Sequence, residues 1–176
     1  MQNRIDTNHL EIKKNMEHLS VQKRIKSIAA HFTACEYVFA NWAQLNVVVD
    51  NIQRDRPTIC YILPPSGTLQ VKRGSSLFID KPSTQIAFLV SSEHDFDGEE
   101  NDELIESMKK LAKMFVKCLN DSGLFEEIEE EILYQVPYDT TDENVTGIVV
   151  TLPIVETGEV MCSIDGDFGY VESIEE

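Results

Sequence analysis

The chain has 176 residues, 42% of them hydrophobic and 26% charged, and its 31 Asp and Glu against 15 Lys and Arg give a net charge of −16. That length suits one domain, and an acidic excess of this size excludes ordinary nucleic-acid binding and adhesion to anionic lipid, both of which draw on lysine and arginine. With eight glycines, six prolines and neither a phosphate-loop nor a dinucleotide fingerprint, the common nucleotide-handling enzymes lose their sequence support.

Residues 1–18 are polar with scattered apolar positions and read as a helical arm or lead-in. They lack the apolar run and small-residue cleavage site of a secretory leader. Val21, Ile25, Ile28 and Phe32 then recur at helical spacing, with Lys23, Arg24 and Lys26 opposite them, which predicts an amphipathic helix. The stretch Tyr37 to Asp50 closes on Val47, Val48 and Val49, whose β-branching places a strand in its second half. Tyr37, Phe39 and Trp42 are expected to form a core cluster.

Thr58 to Leu63 is a strand-forming run stopped by Pro64-Pro65-Ser66-Gly67. Leu69 to Arg73 alternates apolar and polar residues, reads as a half-buried strand, and could close a long hairpin with the run before it. After Lys81-Pro82-Ser83, the nearly continuous apolar run Thr84 to Val90 has the character of a central strand under a helix. Asp97 and Glu100 then suit a capping box for a long helix. Leu104, Met108, Leu111, Phe115 and either Cys118 or Leu119 form its apolar stripe, and Gly123 is its expected left-handed cap. Ile132 to Tyr138 and Asn144 to Val155 are expected antiparallel strands, and a short strand at Val160 to Ile164 is expected to pair back through Thr157-Gly158-Glu159. The order helix, strands, long helix, strands predicts an α+β fold, mainly antiparallel, with helices packed on one face of the sheet. The corresponding division is a lead-in over 1–18, one domain over 19–164 and a loose acidic tail over 165–176.

No constellation for catalysis emerges. Cys35, Cys60, Cys118 and Cys162 have the spacing of neither a zinc site nor a disulfide scaffold, and are expected to be reduced and mostly buried. Glu93, Asp95 and Asp97 fall at the first, third and fifth positions of a calcium loop with Gly98 sixth. The twelfth, which must supply a bidentate carboxylate, is Leu104. No serine lies in a nucleophile elbow and no His-Glu-x-x-His occurs, so neither a cofactor nor a metal is expected.

The charge is unevenly placed. Up to residue 80 the chain has ten basic and seven acidic residues, and after it five and twenty-four. The excess concentrates at Glu93 to Glu106, Glu126 to Glu131 and Asp165 to Glu176. A solvated face is the plain interpretation, and a surface that repels a passing polyanion is the sharper one.

Several strings carry a resemblance. They are Asn41-Trp42 with Asn46 and Asp50, Pro57 to Gly67, Ile86-Ala87-Phe88-Leu89, Asp95-Phe96-Asp97 before the long helix, and Tyr134 to Tyr138 followed by Asp142 to Gly147. Together they span about residues 20 to 156, and in arrangement the chain resembles the neck and tail-completion proteins of long-tailed phages and prophages, the tail-terminator type in particular. The resemblance implies a non-enzymatic subunit that forms a ring with its own copies at the end of a tail tube and meets tail-tube and head-connector proteins. DNA would pass through that ring without specific binding. It also implies a place in the host cytoplasm during assembly, and afterwards in the virion. Candidate subunit contacts are Lys72 and Arg73 in the Gly67 to Ser83 region, and Glu93, Asp95 and Asp97 in the loop Glu93 to Asn101. The rival expectation is a cytoplasmic module whose acidic face docks a basic protein partner. An unrecognised hydrolase ranks third.

Overall fold

The computed structural model describes residues 20–41, 43–44, 56–64, 66–71, 77–92, 99–137 and 145–159. The first described element is helix α1, Val21–Ala29, placed where the apolar spacing predicts it. Ile25, Ile28 and Ala29 are its buried face, with Val21 and Phe32 packed beside them. Strands β1 (Glu36–Ala40) and β2 (Thr58–Ile62) follow, then β3 (Gly67–Val71), β4 (Leu77–Pro82) and β5 (Thr84–Ser91). After the long helix α2 (Glu99–Ser122) come β6 (Leu133–Gln135), β7 (Val145–Leu152) and β8 (Glu156–Glu159).

The strands form two sheets. The larger has the order β1-β2-β5-β7-β6, with β1 parallel to β2 and every other pair antiparallel. Both described helices pack on the face that carries Ile59, Tyr61, Ile86, Phe88, Ile148 and Val150, so the fold is α+β with a mainly antiparallel sheet. The apolar run of β5 is continuous because both faces of this strand are buried. Ile86, Phe88 and Val90 meet the helix layer, while Ala87 and Leu89 join Ala40, Cys60, Ile62 and Val149 in a second cluster. Phe115 of α2 fills the centre of the helix side. Its ring lies 5.6 Å from that of Phe88, edge to face, and 5.7 Å from that of Phe32.

The smaller sheet, β3-β4-β8, extends the larger one. β4 runs through Ser83 into β5, and β7 runs through Pro153, Ile154 and Val155 into β8, so the β5/β7 ladder continues as the β4/β8 ladder. β3 joins along β4 and makes this extension a three-stranded arm.

Several expectations are corrected. Residues 69–71 form a strand, but β3 pairs with β4 and not with β2, and all five of its residues are exposed instead of half buried. β4 runs through Lys81 to end at Pro82, directly before the run that begins at Thr84. Thr157-Gly158-Glu159, read as a turn, lies within β8 and pairs with β4. A strand occupies Glu36–Ala40, earlier than the valine run suggests, and that run lies outside the described residues. The buried stripe of α2 is Ile105, Met108, Ala112, Phe115 and Leu119, with Leu104, Leu111 and Cys118 only partly buried beside it. Gly123 ends α2 with φ 60°, as a left-handed cap. The Asp97 cap, residues 1–18, Val160 to Ile164 and the tail 165–176 lie outside the described residues.

Arg24 departs most from the sequence pattern. Placed by periodicity on the polar side of α1, it is 7% exposed. Its guanidinium donates to the Leu124 carbonyl at 2.9 Å, stacks 4.4 Å from the centre of the Phe125 ring and pairs with the Glu156 carboxylate. One side chain thereby joins α1, the turn after α2 and the root of the arm.

Candidate interaction surfaces

Two of the four described edge strands, β3 and β6, lie on opposite flanks of the central ribbon. β3 borders it along β4, and β6 borders it along β7. In β3, Leu69 and Val71 stand two residues apart on one side of the strand and are 73% and 61% exposed. On the other flank, β6 is only three residues long and carries Leu133 at 70% and Tyr134 at 52% exposure. The flanks thus differ in sequence and architecture, and each presents a pair of large apolar side chains to solvent.

Beside β6 lies a groove of about 550 Å³, bounded on one wall by α2 and on the other by β6 and β7. Ala112, Val116, Ile132, Ile148 and Val150 line it, and Lys109, Lys113, Glu106 and Tyr134 stand at its rim. Lys109 donates a 2.6 Å hydrogen bond to Glu106 and lies 5.1 Å over the Tyr134 ring. That hydrogen bond holds the Glu106 carboxyl below its ordinary pKa and Lys109 above its own. The short β6 leaves this wall incompletely covered, which opens the groove.

The acidic run after α2 is held in a defined loop. The Asn120 carboxamide donates to the Ile128 carbonyl and accepts from the Ile128 amide, each at 3.1 Å, like one rung of a sheet ladder. With Ile128 pinned, Glu126, Glu127, Glu129, Glu130 and Glu131 stand exposed.

Of the residues singled out from sequence, Lys72, Arg73, Glu93, Asp95 and Asp97 lie outside the described residues. Lys72 and Arg73 follow β3 directly in the chain. The expected aromatic core cluster is only partly present. Tyr37 packs against the core, Phe39 is 44% exposed and stacks on Tyr61 with centroids 5.5 Å apart, and Trp42 lies outside the described residues. The groove and the bare apolar flanks were missed from sequence. Alternation in Leu69-Gln70-Val71 reveals an apolar side of a strand, but no local signal says whether the same chain covers it.

Among the described residues Cys60 is fully buried and Cys35 and Cys118 are partly so. Burial pushes the Cys60 thiol up to about 12, which keeps it protonated and a poor nucleophile at neutral pH. Burial also takes the Tyr37 phenol up to about 12, against the opposing effect of its hydrogen bond with Gln22. Both groups favour their neutral forms in the folded state. Their contribution is therefore complete below the ordinary values of 9.0 and 10.0 and disappears as pH climbs from there toward about 12. The urea midpoint is expected to fall progressively above pH 9, and Cys60 to resist a thiol reagent until the chain unfolds; a flat midpoint from pH 8 to 11 would refute this.

No group of three or more His, Cys, Asp or Glu among the described residues is placed to hold a metal ion. No described helix is long and apolar enough to cross a membrane. Neither a family model nor a curated protein matches the chain.

Proposed function

We propose that this protein is a structural subunit of a phage or prophage tail or neck, of the tail-terminator kind, which closes into a ring with its own copies, caps the tail tube and joins it to the head connector. The observation that carries the reading is the pair of unlike apolar flanks, Leu69 and Val71 on β3 and Leu133 and Tyr134 on β6, on opposite sides of one ribbon. Two different surfaces that face away from each other favour head-to-tail association, and a rotation that closes gives a ring. The activity is geometric and needs no bound group. Exposed carboxylates such as those from Glu126 to Glu131 would line or border a passage through which DNA moves without adhering, since like charge repels the phosphates.

Assembly is the test. Leu69→Asp with Val71→Asp on one flank, and Leu133→Asp on the other, replace exposed apolar side chains without entering the core. Burying one such apolar side chain between subunits contributes about 1.5–3 kcal/mol, so Leu133→Asp is expected to weaken subunit pairing by about ten- to a hundredfold, the double change on β3 by more than about a hundredfold, and both to leave tails unfinished in micrographs. Mixing the two flank variants should not restore rings, because each retains only one good surface. Normal tails from both variants would sink the proposal. A monomer that instead captures a basic protein through the loop Glu126 to Glu131 would establish the rival reading, an acidic docking module.

A further inference from the structure

The groove between α2 and β6 has an apolar floor and lysines at its rim, in a chain with a net charge of −16. Its volume of about 550 Å³ lies within the range of ordinary binding pockets. Lys109 is engaged by Glu106 and Tyr134, whereas Lys113 makes no ion pair among the described residues. The site is suited to an acidic segment with apolar side chains at intervals.

The chain contains such a segment. Residues 160–176 hold Asp165, Asp167, Glu172, Glu175 and Glu176 and no lysine or arginine, interspersed with Ile164, Phe168, Tyr170, Val171 and Ile174. The described structure also shows where that segment sets out. Glu159 pairs with Leu77 at the far end of the arm, so β8 has by then carried the chain up to about 20 Å beyond the end of β7. The groove borders β7 on the other side of that starting point, at Ile148 and Val150. As far as Glu159, β8 runs away from the chain's own groove.

We infer that the acidic segment 160–176 of one copy seats in the lysine-edged groove between α2 and β6 of a neighbouring copy, its apolar side chains on the groove floor and its carboxylates against Lys109 and Lys113. This rests on the ring reading above and specifies part of its contact. The same exchange repeated around a ring ties each subunit to the next by a connection that adjoins the β6 flank and shares Tyr134 with it.

The experiment uses the full chain. Equal amounts of isotopically light and heavy protein are mixed, treated with a carbodiimide that joins lysine to carboxylate, and digested for mass spectrometry. Cross-links from Lys109 or Lys113 to residues 165–176 are expected in peptides of mixed isotopic origin. Lys109→Glu with Lys113→Glu should reduce docking by about tenfold, read as cross-linking from a labelled 160–176 peptide that competes for the site. Adding Asp165→Lys and Asp167→Lys to the lysine variant should restore cross-linking between copies, through the new lysines and the carboxylates introduced on α2, which also shows that the variant folds. Links found only within one copy, or none at all, overturn the inference. Micrographs of tails score the ring separately, so rings that form without these cross-links would leave the ring reading intact and this contact refuted.

Discussion

Gly147→Ala is expected to disrupt the centre of the sheet and to cost about 3 kcal/mol or more. Gly147 stands opposite Leu89 in the β5/β7 ladder, where the strands approach so closely that a Cβ would lie 2.0 Å from the Phe88 carbonyl oxygen. Its φ of +151° is one that residues with side chains rarely adopt. The obstacle is backbone on a central strand, so relief requires β5 and β7 to part. Urea denaturation followed by circular dichroism measures the loss. Gly123→Ala is the comparison, because Gly123 also has a positive φ, 60°, but at a helix end, where the conformational cost is about 1–2 kcal/mol. Equal losses at the two positions would show that the close approach at Gly147 contributes nothing.

Arg24→Ala is expected to cost about 3 kcal/mol, toward the low end for breaking a buried ion pair because Glu156 retains partial contact with water. The side chains of Arg24 and Glu156 are 9% and 27% exposed. Alanine would leave the carboxylate unpartnered by the guanidinium, remove the donor from the Leu124 carbonyl and take away the group stacked on Phe125. Arg24→Met with Glu156→Gln should recover part of the loss, since neither half of the pair is then left charged and buried. Denaturation of Arg24→Met, Glu156→Gln and the double variant gives the coupling directly, and additive losses would mean that the pair does not act as a unit.

Apolar spacing located both described helices, and strand-forming or continuous apolar runs located the β2, β5 and β7 strands, because these elements carry the core. These signals failed where tertiary context overrides local preference. Arg24 has the spacing of a solvent-facing residue and is buried because three separate segments converge on its guanidinium. Thr157 and Gly158 have turn chemistry but lie in a strand because β4 offers them a ladder. On α2 the stripe shifted by one position at two turns, from Leu104 to Ile105 and from Leu111 to Ala112, while of the two residues open at the last turn Leu119 is the buried one. Both sets have helical spacing, and only packing against β5 and β7 chooses between them. The candidate surfaces were the least legible part. An apolar residue in a strand pattern reads as core, and Leu69, Val71 and Leu133 are exposed because the strands they occupy end the sheets.

The ladder shared by the arm and the larger sheet has a mechanical consequence. Two strand connections pass side by side from one sheet to the other, and Arg24 fastens their junction to the helix layer through Glu156. A push on the tip would therefore not swivel a loose appendage. It would reach α1 and the turn after α2 as a torque, and the body would tilt with its outrigger.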